Sequence, residues 1–166
     1  TVIGSFHNGF RQLTNSKHAV TTPEDLKGLK IRVPGSEVYM NFFKAFGADP
    51  VAMSWSEVFT ALQQGTIDGQ ENGVSITSTS GVVEVQKYMT ISKHAYLSYV
   101  LTFSDAFLNG LPEDLEQIVM DCGKECVQYH RDQMAELNQG YYDNIAASGI
   151  AINTLTDEQR EAFKDA

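Results

Sequence analysis

Apolar and polar residues recur along this chain in two periods, and the switches between them divide it into strands and helices. Leu97, Tyr99, Leu101 and Phe103 alternate with Ser98, Val100 and Thr102, the period of two that marks a strand. Leu29-Lys30-Ile31-Arg32-Val33 reads as a second strand, stopped by Pro34, and Val51-Ala52-Met53 as a short third. Ile67 to Asn72 reads as a short strand or loop. Between them lie helical signals. Thr22-Pro23-Glu24-Asp25 supplies an N-cap, a proline at the first helical position and acids in the first turn, with Gly28 as the stop. Ser36 can cap a helix that ends at Gly47. Ser54-Trp55-Ser56-Glu57 and Thr156-Asp157-Glu158-Gln159 both have the spacing of a capping box. The first opens a helix with Val58, Ala61 and Leu62 on one side.

The longest helical pattern runs from Pro112 to about Ser148 without an internal proline. Leu115, Ile118, Val119, Cys122, Cys126 and Tyr129 keep helical spacing, and Leu137, Tyr141 and Ile145 carry it on. At 1.5 Å per residue such a helix is roughly 55 Å long, more than the width of a small domain. Gly123 and Gly140 are the positions where it is expected to bend or break. Strands and helices alternate throughout and no repeat is present, which predicts an α/β fold.

With 166 residues and 42% hydrophobic positions the chain can build one real core. No run approaches the roughly 20 apolar residues of a membrane span. The first residues open in a strand-like run and the last stop inside a helical pattern, so a piece of a longer polypeptide is expected. A formal charge of −9 argues against nucleic acid, whose affinity comes from phosphates neutralised by Lys and Arg. It does not argue against a small anion, because local fields govern that. Two cysteines four residues apart are not a disulfide framework.

Carboxylate capture needs a planar fork of donors, which arginine has and lysine lacks. Arg32 stands at the end of a predicted parallel strand beside a Pro-Gly turn, where open α/β sheets bind ligands. Arg11 precedes the donor-rich Gln12-Leu13-Thr14-Asn15-Ser16. Asn72 follows Gly69-Gln70-Glu71, where glycine permits close backbone approach, and Trp55 begins a helix and can wall a pocket. Taken singly these read as a solvated arginine, a core tryptophan and a turn asparagine.

Together they fall in a recognisable order. Gly9-Phe10-Arg11-Gln12-Leu13-Thr14-Asn15-Ser16 is followed by Pro23-Glu24-Asp25-Leu26-Lys27-Gly28-Leu29-Lys30-Ile31-Arg32-Val33-Pro34. Gly47-Ala48-Asp49-Pro50 and Met53-Ser54-Trp55-Ser56-Glu57-Val58 come next. Then follow Ala61-Leu62-Gln63-Gln64-Gly65-Thr66-Ile67-Asp68-Gly69-Gln70-Glu71-Asn72 and Leu111-Pro112-Glu113-Asp114-Leu115. This resembles the solute-binding subunit of tripartite ATP-independent periplasmic (TRAP) transporters, of the DctP type, over nearly the whole chain.

The resemblance implies a periplasmic-binding-protein-like, Venus-flytrap fold whose long helix spans two lobes, here truncated. Residues 9–97 and 137–166 would form the second lobe. Residues 1–8 and 98–136 would be the remnant of the first lobe plus the spanning helix. It also implies a ligand-carboxylate arginine at Arg32, a second ligand-facing arginine at Arg11, an aromatic wall at Trp55 and an amide donor at Asn72. The implied function is capture of a small organic carboxylate in the periplasm and delivery to a TRAP membrane permease, without catalysis or cofactor. C4-dicarboxylates, sugar acids, keto acids, sialic acid and aromatic acids are all within the family's range. Self-association of the isolated chain is expected, because Leu97–Phe103 and the first half of the long helix should lack their partners.

Three other readings fit the sequence less well. A hydrolase is disfavoured, because His7, His18, His94 and His130 accompany no Gly-x-Ser-x-Gly elbow. Cys122, Cys126 and His130 share a helical face, but three such groups on a straight helix span about 12 Å, too far for one tetrahedral ion. The thiols are expected to pack on the buried face of the helix, and His18 and His94 to lie at the surface. A binding protein of an ATP-driven importer would use the same capture physics, and the order of motifs favours the TRAP type.

Overall fold

The computed structural model describes residues Thr1–Ala166. Its strands are β1 (Val2–Asn15), β2 (Lys30–Val33), β3 (Asp49–Ala52), β4 (Gly69–Gly73), β5 (Tyr88–Thr102) and β6 (Ala151–Thr154). They form one mixed sheet in the order β3-β2-β4-β1-β5-β6. Its helices are α1 (Glu37–Ala45), α2 (Trp55–Gln64), α3 (Val74–Thr79), α4 (Asp105–Leu108), α5 (Glu113–Ala147) and α6 (Asp157–Asp165). β2 pairs in parallel with both β3 and β4, and α1 and α2 supply the crossovers that parallel pairing requires. β1 runs antiparallel to β4 and β5.

Ile31 and Val33 alternate with Arg32 along β2 and are fully buried. With Leu13, Val20, Leu26, Leu29, Phe43 and Ala48 they make the largest apolar cluster. Val58, Ala61 and Leu62 pack with Ile67 and Val82 into a second, as the helical spacing predicts. A third joins Val74, Met89 and Ile91 to Ile145 and Ile150, and so anchors the end of α5. The parallel strands thus present the ends of β2, β3 and β4 on one side of the sheet, where Arg32, Met53 and Asn72 lie close in sequence to those ends.

β4 is the unusual strand. Its sequence, Gly-Gln-Glu-Asn-Gly, has no apolar side chain, yet all five residues are buried between β2 and β1. A Cβ at Gly69 would fall on the carbonyl oxygen of Thr14 and stand 2.9 Å from the Asn15 Cβ. Glycine is therefore what lets β1 and β4 approach at that point.

α5 runs unbroken for 35 residues, about 52 Å, through both glycines. Gly123 is a contact residue, since a Cβ there would stand 3.0 Å from Ile3 and 3.2 Å from Phe103. It brings the helix onto the ribbon formed by the first half of β1 and the second half of β5. The strand expected at Leu97–Phe103 is thus the end of β5, and it finds a partner within the chain in Val2–Gly9 of β1. This differs from the expectation that it lacks one, although β4 stops at Gly73 opposite Arg11 and leaves the other edge of the ribbon open.

Four local readings are corrected. The helix at Pro23 is a single 3-10 turn, Pro23–Leu26, in which the Asp25 carboxylate accepts from the Thr21 and Thr22 amides at 2.8 and 2.9 Å. Burial alone would raise the Asp25 pKa, but these bonds hold it below the usual carboxylate range. Ser36 and Ser54 precede helices without capping them through their side chains, and the Ser54 hydroxyl instead faces that of Ser56 at 3.0 Å. The box at Thr156 and Gln159 does form, with both reciprocal bonds. Cys122 and Cys126 are exposed, because α5 turns Gly123 and Val127 toward the sheet and the thiols away from it.

The same rotation leaves Leu115, Ile118 and Tyr129 at the surface, Ile118 at 56% and Tyr129 at 67% exposure. With Tyr96, Tyr99 and Val100 on the ribbon, the chain carries more exposed large apolar side chains around this end than a soluble surface usually keeps bare. The isolated 166-residue chain is expected to self-associate, and Ile118→Glu to weaken that association. Multi-angle light scattering over a concentration series tests it, and a monodisperse monomer at every concentration would contradict it.

Candidate functional site

The four residues singled out from the sequence line one cavity. Arg11, Arg32, Trp55 and Asn72 share a space of about 450 Å³ with Pro34, Tyr39, Ile76, Leu97 and Tyr99. β1 brings Arg11, β2 brings Arg32, β4 brings Asn72, and the first turn of α2 brings Trp55.

Arg32 is held by its backbone-side edge. Nε and Nη2 both donate to the carbonyl oxygen of Met53, at 2.9 and 2.7 Å. Nη1 and the outer N–H of Nη2 have no protein partner, and those two parallel donors form the edge a carboxylate takes with two hydrogen bonds. The Trp55 ring lies against the guanidinium, 5.3 Å from its carbon. No carboxylate pairs with Arg32. Burial lowers its pKa from the ordinary value, the charge of Glu71 opposes that shift, and the charge of Arg11 adds to it. A buried cation in that state is stabilised by an incoming anion.

Arg11 is in a different condition. Nε and Nη2 donate side by side to the two Glu71 carboxylate oxygens, Nε to Oε2 and Nη2 to Oε1 at 2.7 Å, and Nη2 also donates to the Glu71 carbonyl at 2.9 Å. Burial would lower the Arg11 pKa, but the hydrogen bonds and charge of Glu71 raise it above the ordinary value. Only Nη1 remains free, so Arg11 has no open fork for a carboxylate. Its guanidinium also covers the Tyr39 ring at 5.3 Å.

Behind Arg11 stand two residues that carry no mark of their role in the sequence, Glu71 and the His94 that faces it. Glu71, 0% exposed, enters the sequence analysis only as the residue before Asn72. The signal available was the polar run Asp68-Gly69-Gln70-Glu71-Asn72 within the segment read as a short strand or loop, since a buried polar strand makes sense only if its side chains serve one another or a ligand. His94, expected at the surface, is largely buried. Its Nε2 faces Glu71 Oε2 at 3.2 Å, its Nδ1 faces the Ser92 hydroxyl at 2.7 Å, and its ring stacks on Phe42. A bulge puts it there. Arg11 pairs with Ala95 and Leu13 with Thr90, so five steps of β5 answer two of β1, and Lys93 adopts a left-handed φ of 50° within the excess. No sequence pattern marks that bulge.

Asn72 accepts from the Gly73 amide through Oδ1 at 2.9 Å, which leaves its amide nitrogen as a donor. Tyr99 accepts from Asn8 at 3.3 Å, so its own hydroxyl hydrogen is available. The cavity therefore offers donors from Arg32, Arg11, Asn72 and Tyr99 beside the faces of Trp55 and Tyr39. No three His, Cys, Asp or Glu side chains converge as metal ligands would. The arrangement suits an oxygen-rich anion.

The profile of the family described as bacterial extracellular solute-binding protein, family 7 (DctP), matches residues 1–166. The 2,3-diketo-L-gulonate-binding periplasmic protein YiaO of Escherichia coli K12 is 37% identical over 165 residues, 99% of this chain and 50% of that protein. A TRAP periplasmic solute-binding protein from Shewanella oneidensis, solved with bound succinate, superposes with a TM-score of 0.94 at 37% identity. That match covers 99% of this chain and 54% of the other. A TRAP periplasmic solute-binding protein from Sulfitobacter sp. NAS-14.1, solved with bound β-D-galacturonate, gives 0.95 at 26% identity, with 99% and 54% covered. The chain thus spans about half the length of the relatives it matches.

Removing Glu71 should expose how far the fold leans on it. Glu71→Ala strands the Arg11 charge in the interior and is expected to cost about 3–5 kcal/mol, with Glu71→Gln costing less because one acceptor survives. Urea denaturation of wild type and both variants measures this. Coincident midpoints would show that the pair is not a structural necessity.

Proposed function

This chain belongs to family 7 of the bacterial extracellular solute-binding proteins, and from that premise we propose that it captures a small organic carboxylate outside the cytoplasm and does no chemistry on it. The observation that carries the reading is the free two-nitrogen edge of Arg32, at the end of β2, open to a cavity of about 450 Å³ and paired with no acid of the protein. The solutes named for the relatives, 2,3-diketo-L-gulonate, succinate and galacturonate, are all carboxylates. Arg32 would take the carboxylate, Trp55 would hold the guanidinium plane and wall the ligand, and Asn72 and the Nη1 of Arg11 would donate to further oxygens.

Family membership supports the rest of the reading. The protein would work in the periplasm and hand its solute to a TRAP membrane permease. Residues 9–97 and 137–166 would form one lobe of a Venus flytrap. Residues 1–8 and 98–136 would belong to the other lobe and to the helix that spans both. No helix of the chain is long and apolar enough to cross a membrane.

Calorimetry on the full-length protein, with organic acids as ligands, tests the assignment of Arg32. Arg32→Lys keeps the charge but loses the fork, and is expected to weaken binding by about 2–5 kcal/mol. Equal affinities for the two proteins would remove Arg32 from the site. Trp55 is the only tryptophan, so saturating ligand is also expected to change the emission of the full-length protein. An unaltered spectrum would take Trp55 out of the pocket wall while leaving Arg32 untouched.

A further inference from the structure

A second cavity, of about 470 Å³, lies between the long helix and the start of the sheet. Its wall comes from β1 near Asn8, from the β5 bulge at Lys93, and from α5 at Arg131, Asn138 and Tyr142. None of these residues lines the solute cavity.

The chemistry of this wall is at odds with the rest of the molecule. The chain has 21 acidic residues against 12 basic ones, yet the wall holds Lys93 and Arg131 and no Asp or Glu. Neither cation is in an ion pair, as is true of seven of the twelve basic residues, the paired ones being Arg11, Lys17, Lys124, Arg160 and Lys164. Arg131 is oriented by Ser5, whose carbonyl and hydroxyl accept from Nε and Nη2 at 3.1 Å each. That leaves Nη1 and the outer Nη2 hydrogen as a free fork. Lys93 is delivered to the wall by its left-handed backbone, and its amide donates to the buried Gln12 at 3.0 Å, which pins the bulge. Asn8, 7% exposed, and the Tyr142 hydroxyl add neutral polar groups.

We propose that this cavity is a second binding site, for a small tetrahedral oxyanion of the sulfate or phosphate class. Two unpaired cations match a dianion, and an oriented guanidinium edge with hydroxyl and amide groups around it matches several oxygens. The site is independent of the carboxylate-capture reading, since it shares no lining residue with that cavity.

The test is calorimetric titration of the full-length protein with sodium sulfate and, separately, sodium phosphate, at constant ionic strength so that screening does not change. Wild type is compared with Lys93→Asn, in which asparagine tolerates the left-handed backbone, and with Arg131→Gln. Saturable binding of at least one oxyanion to wild type is expected, weakened about tenfold or more in each variant. Titration with the organic acid in sulfate-free buffer shows whether each variant is folded and competent. Absence of saturable binding to wild type, or unchanged oxyanion affinity in variants that still bind the acid, would overturn the proposal. If a variant loses the acid as well, circular dichroism decides. A native spectrum with both affinities lost would also count against a separate site, and for an unfolded variant the other one carries the comparison.

Discussion

The buried pair between Arg11 and Glu71 is the constraint on which the rest of this molecule turns. A carboxylate with no exposure in the central strand of a sheet is tolerable only when a cation meets it with several hydrogen bonds. That requirement sets the register of β1 against β4, which places Arg11 opposite Gly73 and Leu13 opposite Glu71. Glycine at Gly69 lets the two strands come close enough, and the β5 bulge turns His94 inward to occupy a remaining face of the carboxylate. A strand made only of polar residues and glycine would otherwise have no reason to be buried.

The pair also divides labour between two arginines that look alike in sequence. Arg11 spends its fork on Glu71 and retains one nitrogen for anything else. Arg32 is held by a neutral carbonyl, keeps its outer edge and keeps its charge unbalanced. An overall charge of −9 is therefore no obstacle to an anion in this cavity, because the local field there is dominated by the nearby Arg32, which no acid pairs with.

At the other end of the molecule the same sheet becomes a two-stranded ribbon, stiffened by a helix lying across it. The contact is made by small residues, with Gly123 of α5 against Ile3 and Phe103 and with Gly4 of β1 against Val127. Close approach of helix and ribbon accounts for a helix that passes straight through a residue of low helical propensity. It also turns the apolar stripe of Leu115, Ile118 and Tyr129 away from the sheet, so that the most regular hydrophobic pattern in the chain is among its least buried.

Much of this was legible in the amino-acid order. The α/β alternation and the long helix follow from local signals, because periodicity and strand ends are properties of neighbours along the chain, whereas Arg11, Arg32, Trp55 and Asn72 were brought together only by the order of motifs that the family resemblance rests on. The long-range partners were not legible. That Glu71 faces Arg11, that His94 is drawn inward, that Cys122 and Cys126 point to solvent, and that Leu97–Phe103 pairs with the chain's first residues all depend on register and on a bulge with no compositional mark. By itself the sequence determined the α/β alternation, the long helix and the strand that carries Arg32, while β6, α3 and α4 left no readable mark in it. The tertiary structure alone decided which of two equivalent arginines stays free, because that depends on whether a buried carboxylate or a backbone carbonyl happens to meet its inner edge.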